Sequence, residues 1–317
     1  MSGSLKSIIC RGRFYIEHLE IRETAYEPLI AETIAGVTAR QTVCVNAQAV
    51  WDDISPFTAG DREDAWVRAV HFKEIPRPRP PYPSMWLETN INGQRCGALV
   101  RTVIFDDVES LLVKVPEFAG DIADGLRRDQ PKVLLKATLW HEFEGSAGFT
   151  AQVFWWLDAK SAFQSSFRFV IRPQAKTETE LANDSQYQHL LAHVKMRQGW
   201  LLHSFARMNC ANVELVPMDN PTGRHHHRRD RAPATVWHEI RVGAAPKIRS
   251  GSTAQDNGGS EVRLHWVRGH FADYTKGTGL FGNPKLRTVF WIPAHQAGDE
   301  KLGQVVPSYR IDQEKAG

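Results

Sequence analysis

Two long runs of β-branched and aromatic residues, separated by turn sequences, constrain the fold more than any other feature of this chain. The first run, SMWLETNINGQRCGALVRTVIF, contains Asn92-Gly93, and Asn-Gly supplies the positive φ angles that a tight hairpin turn requires. The second run, KVLLKATLWHEFEGSAGFTAQVFWWLDAKSAFQSSFRFVIR, has similar strand-like stretches separated by Gly-Ser and Asp-Ala-Lys breaks. Together the two runs predict a mostly antiparallel sheet.

The hydrophobic period changes after these strands. The run ETELANDSQYQHLLAHVKMRQGWLLHSFARMN has apolar residues at helical spacing, which predicts one long helix near residues 180–209. His189 and His193 lie four residues apart on this helix, a spacing that allows zinc binding from one face. The sequence lacks an H-E-x-x-H arrangement and an obvious third ligand nearby, so we favour a solvated or capped helix face and predict no metal site and no cofactor.

Residues 14–50 mix charged and apolar positions at roughly helical spacing, which predicts helices interrupted near Pro28 and Gly36. The proline-rich EIPRPRPPYPS then predicts an extended connector. The predicted fold class is α+β, with an N-terminal helical segment, a mostly antiparallel sheet, one long central helix and a β-rich C-terminal unit. The corresponding parts are residues 1–75, 76–220 and 221–317, and the last two are alternatively parts of one sheet.

Composition limits the class of protein. The chain has 317 residues, of which 42% are hydrophobic and 24% charged, as in a folded globular protein with a sizeable core. The N-terminal apolar run ends after a few positions, which predicts neither a signal peptide nor a membrane span. Four scattered cysteines without a C-x-x-C pair are typical of a reducing compartment, so we expect a cytoplasmic protein.

The most basic segment is RHHHRRDR, residues 224–231, with four arginines and three histidines in eight positions. Such clusters contact the phosphates of nucleic acids, although many are simply solvated loops. The net charge of +3 allows phosphate contact without requiring it. The glycine-rich TKGTGLFG adds an exposed lysine but lacks the spacing of a P-loop. The candidate nucleic-acid-binding residues are Arg224, Arg228, Arg229, Arg231 and Lys276.

A second candidate site lies in HWVRGHFADYTKGTGLFG, residues 265–282. In one continuous strand Arg268 and His270 share a face and His265 points the other way, whereas a bulge at Gly269 would let the two histidines converge. Two imidazoles and an arginine are sufficient for metal-independent RNA cleavage. One imidazole deprotonates the 2′-hydroxyl, the other protonates the leaving 5′-oxygen, and the guanidinium stabilises the charged transition state. His295 could supply a further acid or an orienting hydrogen bond.

The same histidine–arginine cluster has two other interpretations. His270 could donate to a backbone carbonyl while Arg268 pairs with a carboxylate such as Asp273, which would only fix the loop. Alternatively the cluster binds a phosphate-bearing ligand without any reaction. Residue type and spacing do not separate these possibilities from catalysis, so all three stay open at this point.

The segments PPYPSMWLE, GQRCGALV, VWHEIRV and HWVRGHFADYTKGTGLFG, followed by VFWIPAH and GQVVPSYRI, resemble a family of uncharacterised proteins of bacteriophages, prophages and environmental bacteria. The resemblance covers most of residues 75–310, and its most specific part is the C-terminal Arg-Gly-His-aromatic signature. It implies a mobile-element origin and an intracellular setting, with no activity, cofactor or catalytic residue to transfer. This chain departs from the family in RHHHRRDR, where the relatives have a run rich in lysine and arginine.

The leading functional hypothesis is therefore a nucleic-acid-binding accessory protein of a phage or mobile element. The alternative from a different class is a metal-independent endoribonuclease centred on Arg268 and His270, with His265 and His295 beside them. A third hypothesis is a protein–protein interaction or structural role, in which the aromatic residues form core and the Arg-Gly-His block is a folding element.

Overall fold

The computed structural model describes residues 4–10, 14–15, 27–39, 41–54, 79–91, 93–114, 121–157, 163–169, 185–218, 236–243, 263–267, 269–278, 283–292, 295–297 and 299–304. Over these ranges the chain has the α+β fold that the sequence predicts, with helices packed on a mixed but mostly antiparallel sheet. The Arg-rich segment 224–231, Arg268 and residues 74–78 of the proline-rich connector lie outside the described residues, and residues 79–83 of the connector form neither helix nor strand.

The helices of the described part of the chain have the following bounds: α1 Leu5–Cys10, α2 Glu27–Thr38, α3 Gln48–Ile54, α4 Val108–Lys114, α5 Asp121–Asp129 and α6 Ser185–Met208. Helix α6 confirms the long helix predicted near residues 180–209. Its apolar stripe forms part of the main core, where Trp200, Leu201, Leu202 and Phe205 are almost completely buried.

The main sheet has nine strands: β1 Phe14–Tyr15, β2 Val43–Asn46, β3 Ser84–Ile91, β4 Gln94–Ile104, β5 Val133–Phe143, β6 Ser146–Leu157, β7 Phe163–Phe169, β8 Val213–Pro217 and β9 Trp237–Val242. The strand order is β1-β6-β5-β4-β3-β2-β9-β8, and β7 pairs with β6. Strands from the N-terminal, central and C-terminal parts of the chain therefore hydrogen-bond within one sheet.

The predicted hairpin at Asn92-Gly93 is confirmed by the antiparallel pairing of β3 with β4, in which Ile91 lies opposite Gln94. Gly93 has a φ of 85°, the left-handed conformation that the turn requires. The second predicted strand block is confirmed as well, because β5, β6 and β7 pair antiparallel. One irregularity follows Leu139, where β6 contains one residue more than β5 and Thr150 is left without a partner.

Two N-terminal expectations are wrong. Helix α2 begins at Glu27, next to Pro28, and continues through Gly36 to Thr38, so the interruption predicted at Gly36 is wrong. Proline is tolerated at Pro28 because it lies in the first helical turn, where the backbone N–H has no intrahelical acceptor. At Gly36 a Cβ atom would lie 2.4 Å from Cδ2 of Leu99, so the glycine allows the helix to pack closely on the sheet. Residues 43–46 form strand β2 rather than a helix, because their pairing with both β3 and β9 outweighs the local periodicity.

The C-terminal part of the chain forms two smaller sheets. Strand β10 Arg263–Val267 pairs with β13 His295–Ala297 and with β14 Asp299–Gln304. Strand β11 His270–Asp273 pairs with β12 Val289–Ile292, and a short 3-10 helix, Pro284–Leu286, precedes β12. The Arg-Gly-His block therefore does not form one continuous strand, because β10 ends at Val267 and β11 begins at His270 in another sheet.

Candidate functional site

The β11–β12 hairpin carries the histidine of the Arg-Gly-His block. In its antiparallel register Phe271 lies opposite Trp291 and His270 lies opposite Ile292. Neighbouring residues of a strand point to opposite faces, so Phe271 and Trp291 face the core while His270 is exposed. The opposite face is covered in part, because Phe290, which lies opposite Ala272 on the His270 side, is 3% exposed.

Aromatic and cationic groups anchor this hairpin to helix α6. The Phe271 ring lies 4.8 Å from the Trp291 ring in an edge-on arrangement and stacks on the His203 ring at 5.8 Å. The guanidinium of Arg207 lies 3.8 Å above the Trp291 ring centre, a cation–π contact. Asn212 completes the attachment, since its Oδ1 accepts the Trp291 backbone N–H at 2.9 Å and its Nδ2 donates to the Trp291 carbonyl at 2.8 Å.

Two titratable groups of this anchor are shielded from water. Arg207 is 1% exposed and donates to the Asp53 carboxylate at 2.6 Å. Burial lowers the pKa of Arg207, and the Asp53 charge opposes that change. Burial and the nearby Arg207 charge lower the pKa of His203 to about 3, so this imidazole is neutral at physiological pH. The anchor is therefore built for packing rather than for proton transfer near neutral pH.

The open end of the hairpin carries exposed positive charge. Asp273 accepts hydrogen bonds from the backbone N–H and the hydroxyl of Thr275, which hold the first turn and lower the pKa of the Asp273 carboxyl. Lys276 follows in an exposed position, and Gly277 has a φ of 93°. On the returning side Lys285 and Arg287 are also exposed. We call Lys276, Lys285 and Arg287 the hairpin cations.

The structure separates the predicted catalytic histidines into two sheets. His270 lies on β11, whereas His265 lies on β10 and His295 on β13. In the β10–β13 pair Val267 lies opposite His295 and His265 lies opposite Ala297, so the two histidines are diagonal neighbours. The expectation that His265 and His270 converge through a bulge stays untested. Among the predicted nucleic-acid-binding residues, Lys276 lies on the hairpin, and Arg224, Arg228, Arg229 and Arg231 lie outside the described residues.

Sequence reasoning missed a polar cluster under the middle of helix α6. Arg197 on that helix donates from Nη1 to the Thr150 hydroxyl at 2.6 Å, and the same hydroxyl lies 2.9 Å from Nδ1 of His141. The only sequence signal is an arginine inside the apolar part of a helical stripe and a histidine at the end of an apolar strand. Neither pattern identifies its partners, because the two residues are 56 positions apart, 197 − 141.

Comparisons with known proteins give no family for this chain: no family model matches it, and no curated protein or solved structure matches it either. Within the described ranges no group of three or more His, Cys, Asp or Glu side chains is arranged to hold a metal ion. No helix among the described residues is both long enough and apolar enough to cross a membrane.

Proposed function

We propose that this protein binds nucleic acid through the hairpin cations together with the Arg-rich segment 224–231, as an accessory protein of a phage or mobile element. The observation that carries the proposal is the placement of Lys276, Lys285 and Arg287 at one exposed end of a hairpin whose other end is anchored in the core. The phage or mobile-element origin comes from the family resemblance alone.

The arrangement of the hairpin suits contact with phosphates. Tyr274 donates its backbone N–H to the Thr288 carbonyl at 3.0 Å, which extends the pairing of β11 and β12 as far as the loop that bears the cations. Asn283 caps the 3-10 helix by accepting the Lys285 backbone N–H at 3.0 Å. Local order of this kind lowers the entropy lost when side chains bind, because the backbone is already fixed.

Contacts of this type predict affinity without strong sequence preference. Lysine and arginine side chains on phosphates position a protein on nucleic acid, whereas sequence is read by contacts to base edges. Each phosphate neutralised releases bound counterions, so the affinity falls as the salt concentration rises. We therefore expect similar affinities for oligonucleotides of different sequence and a marked loss of binding in salt.

The proposal is tested by fluorescence anisotropy with labelled single-stranded RNA, single-stranded DNA and duplex DNA. The variant Lys276→Ala/Lys285→Ala/Arg287→Ala is compared with a control that removes three exposed cations elsewhere, Arg127→Ala/Arg128→Ala/Lys132→Ala. We expect the hairpin variant to bind at least about tenfold more weakly than wild type at low salt, and the control variant to bind nearly as well. No binding by the wild type, or equal losses in both variants, would contradict the proposal.

The ribonuclease alternative keeps one observation in its favour. The register of β10 and β13 makes His265 and His295 diagonal neighbours, positions about 7–8 Å apart in an antiparallel pair. Two imidazoles at this separation can act on opposite sides of one phosphodiester as general base and general acid. Cleavage of RNA in EDTA with a 2′,3′-cyclic phosphate product would establish this activity, and its loss in both His265→Ala and His295→Ala would locate it.

A further inference from the structure

Arg197 is a buried cation without a counter-charge among the described residues. Its side chain is 4% exposed, yet no described carboxylate lies within ion-pair distance of it. Nη1 donates to Thr150, and Nε has no hydrogen-bond acceptor in the part of the chain that the structure describes. Arg207, two to three turns further along α6, is buried to the same degree and does have a carboxylate partner, Asp53. Arg207 also has N–H groups without a described acceptor, at Nε and Nη2, so the feature that sets Arg197 apart is the absence of a described carboxylate partner.

The groups around Arg197 form a polar cluster at the end of strands β4, β5 and β6. His141 lies beside Thr150 on the neighbouring strand, Arg197 also forms a side-chain hydrogen bond with Cys96, and His193 interacts electrostatically with His141. A Cβ atom on Gly148 would lie 2.8 Å from Cε1 and Nε2 of His141, so only glycine leaves room for the imidazole in its present position. The extra residue in β6 falls at Thr150, and bulges of this kind re-aim side chains next to binding sites.

None of these neighbours offsets the charge of Arg197. Burial and Arg197 itself lower the pKa of His141 to about 4, so His141 is neutral at pH 7. Burial also raises the pKa of the Cys96 thiol above its usual value, against the opposing effect of Arg197, which keeps the thiol protonated. The cluster therefore contains one fixed positive charge and, at neutral pH, no described negative charge. A buried charge without a counter-charge among the described residues is unfavourable, and a bound anion would offset that cost.

We propose that Arg197 is the anchor of a binding site for a small oxyanion, a phosphate or carboxylate group, which accepts the Arg197 Nε–H and is oriented by Thr150 and His141. Because Nη1 already donates to Thr150, the donor left for the anion is Nε–H, which would form a charge-assisted hydrogen bond with an oxyanion. This site is buried under helix α6 and is distinct from the exposed hairpin cations. A nucleic-acid backbone is too long to be its ligand. The proposed ligand is a free anion or the anionic end of a small metabolite.

The test measures thermal unfolding of the full chain in inorganic phosphate and, separately, in acetate, each against sodium chloride at equal ionic strength. A ligand that binds only the folded state raises the melting temperature in a saturable way. We expect saturable stabilisation by at least one of the two anions, and the better anion distinguishes a phosphate site from a carboxylate site. Equal melting temperatures in phosphate, acetate and chloride would overturn the proposal.

Two variants identify the site. Arg197→Met keeps the bulk of the side chain without its charge, and Thr150→Val keeps the shape of the threonine without its hydroxyl. We expect Arg197→Met to weaken the anion's association constant about 10–100-fold and Thr150→Val to weaken it by a smaller factor. If Arg197→Met does not fold, Thr150→Val alone still tests whether the anion binds at this site. The hairpin variant Lys276→Ala/Lys285→Ala/Arg287→Ala should retain wild-type stabilisation, which separates this site from the proposed nucleic-acid interface. Unchanged stabilisation of both Arg197→Met and Thr150→Val would place the anion elsewhere and overturn the proposal.

Discussion

Two histidines held neutral inside the fold should make this protein lose stability in mild acid. Burial lowers the pKa of His141 to about 4 and that of His203 to about 3. In the unfolded chain both imidazoles return to about 6.5. Between these values the unfolded state binds protons that the folded state does not, so the free energy of unfolding falls as the pH falls below about 6.5.

The size of the effect follows from the difference in proton binding. At pH 5 an imidazole of unfolded pKa about 6.5 stabilises the unfolded state by about 2 kcal/mol, and the folded state gains almost nothing. The two histidines together should remove about 4 kcal/mol between pH 7.5 and pH 5, a large part of the 5–15 kcal/mol that stabilises a typical domain. Glu88 acts in the opposite direction, because burial raises the pKa of its carboxyl and its protonation favours the folded state.

Urea unfolding at pH 7.5, 6 and 5 measures this dependence, and the histidine variants separate it from the contribution of Glu88. His141→Gln and His203→Gln each remove one proton-binding group, so each should reduce the stability lost between pH 7.5 and pH 5 by about 2 kcal/mol relative to wild type. Variants that lose as much stability on acidification as the wild type would refute the assignment of buried neutral imidazoles.

Three further results are expected. Leu202→Ala should lower the free energy of unfolding by about 2–5 kcal/mol because Leu202 is fully buried. Leu191→Ala should lower it clearly less because Leu191 is partly exposed. Urea titrations of the two variants measure the difference. Gly148→Ala should cost about 1–3 kcal/mol in the same assay because the new methyl group collides with the His141 ring. RNA cleavage by the wild type in EDTA would allow a test of His270. As the general acid or base, His270 would lower the cleavage rate about 10²–10⁴-fold on replacement by alanine. An unchanged rate in His270→Ala excludes that role.

The antiparallel strand block and the long helix could be predicted because local signals and tertiary structure agree there. Asn92-Gly93 marks a turn whose glycine has the required positive φ, and the stripe on α6 faces the core. Strand β2 could not be predicted, because four residues carry little periodicity and their partners β3 and β9 are distant in sequence. The helix interruption predicted at Gly36 is wrong because a glycine that allows close packing on Leu99 cannot be distinguished in the sequence from a helix-breaking glycine.

The candidate sites likewise combine features that local sequence predicts with features that depend on residues distant in the chain. The exposed position of Lys276 and the aromatic character of its hairpin follow from local sequence. The Asp273 carboxylate accepts two hydrogen bonds from Thr275, whereas the sequence suggested an ion pair with Arg268, a residue outside the described ranges. The Arg197 cluster depends instead on the extra residue of β6 at Thr150 and on the docking of α6 over β5 and β6, neither of which is visible in a linear pattern.

The salt dependence of oligonucleotide binding tests the proposed function most directly. The logarithm of the association constant is measured against the logarithm of the salt concentration for wild type, for Lys276→Ala/Lys285→Ala/Arg287→Ala and for Arg228→Ala/Arg229→Ala. We predict that the slope falls in magnitude by about 2–3 for the triple variant and by about 2 for the double variant, because each contact to phosphate contributes about 0.7–0.9. Slopes equal to that of the wild type in both variants would contradict the proposed phosphate contacts.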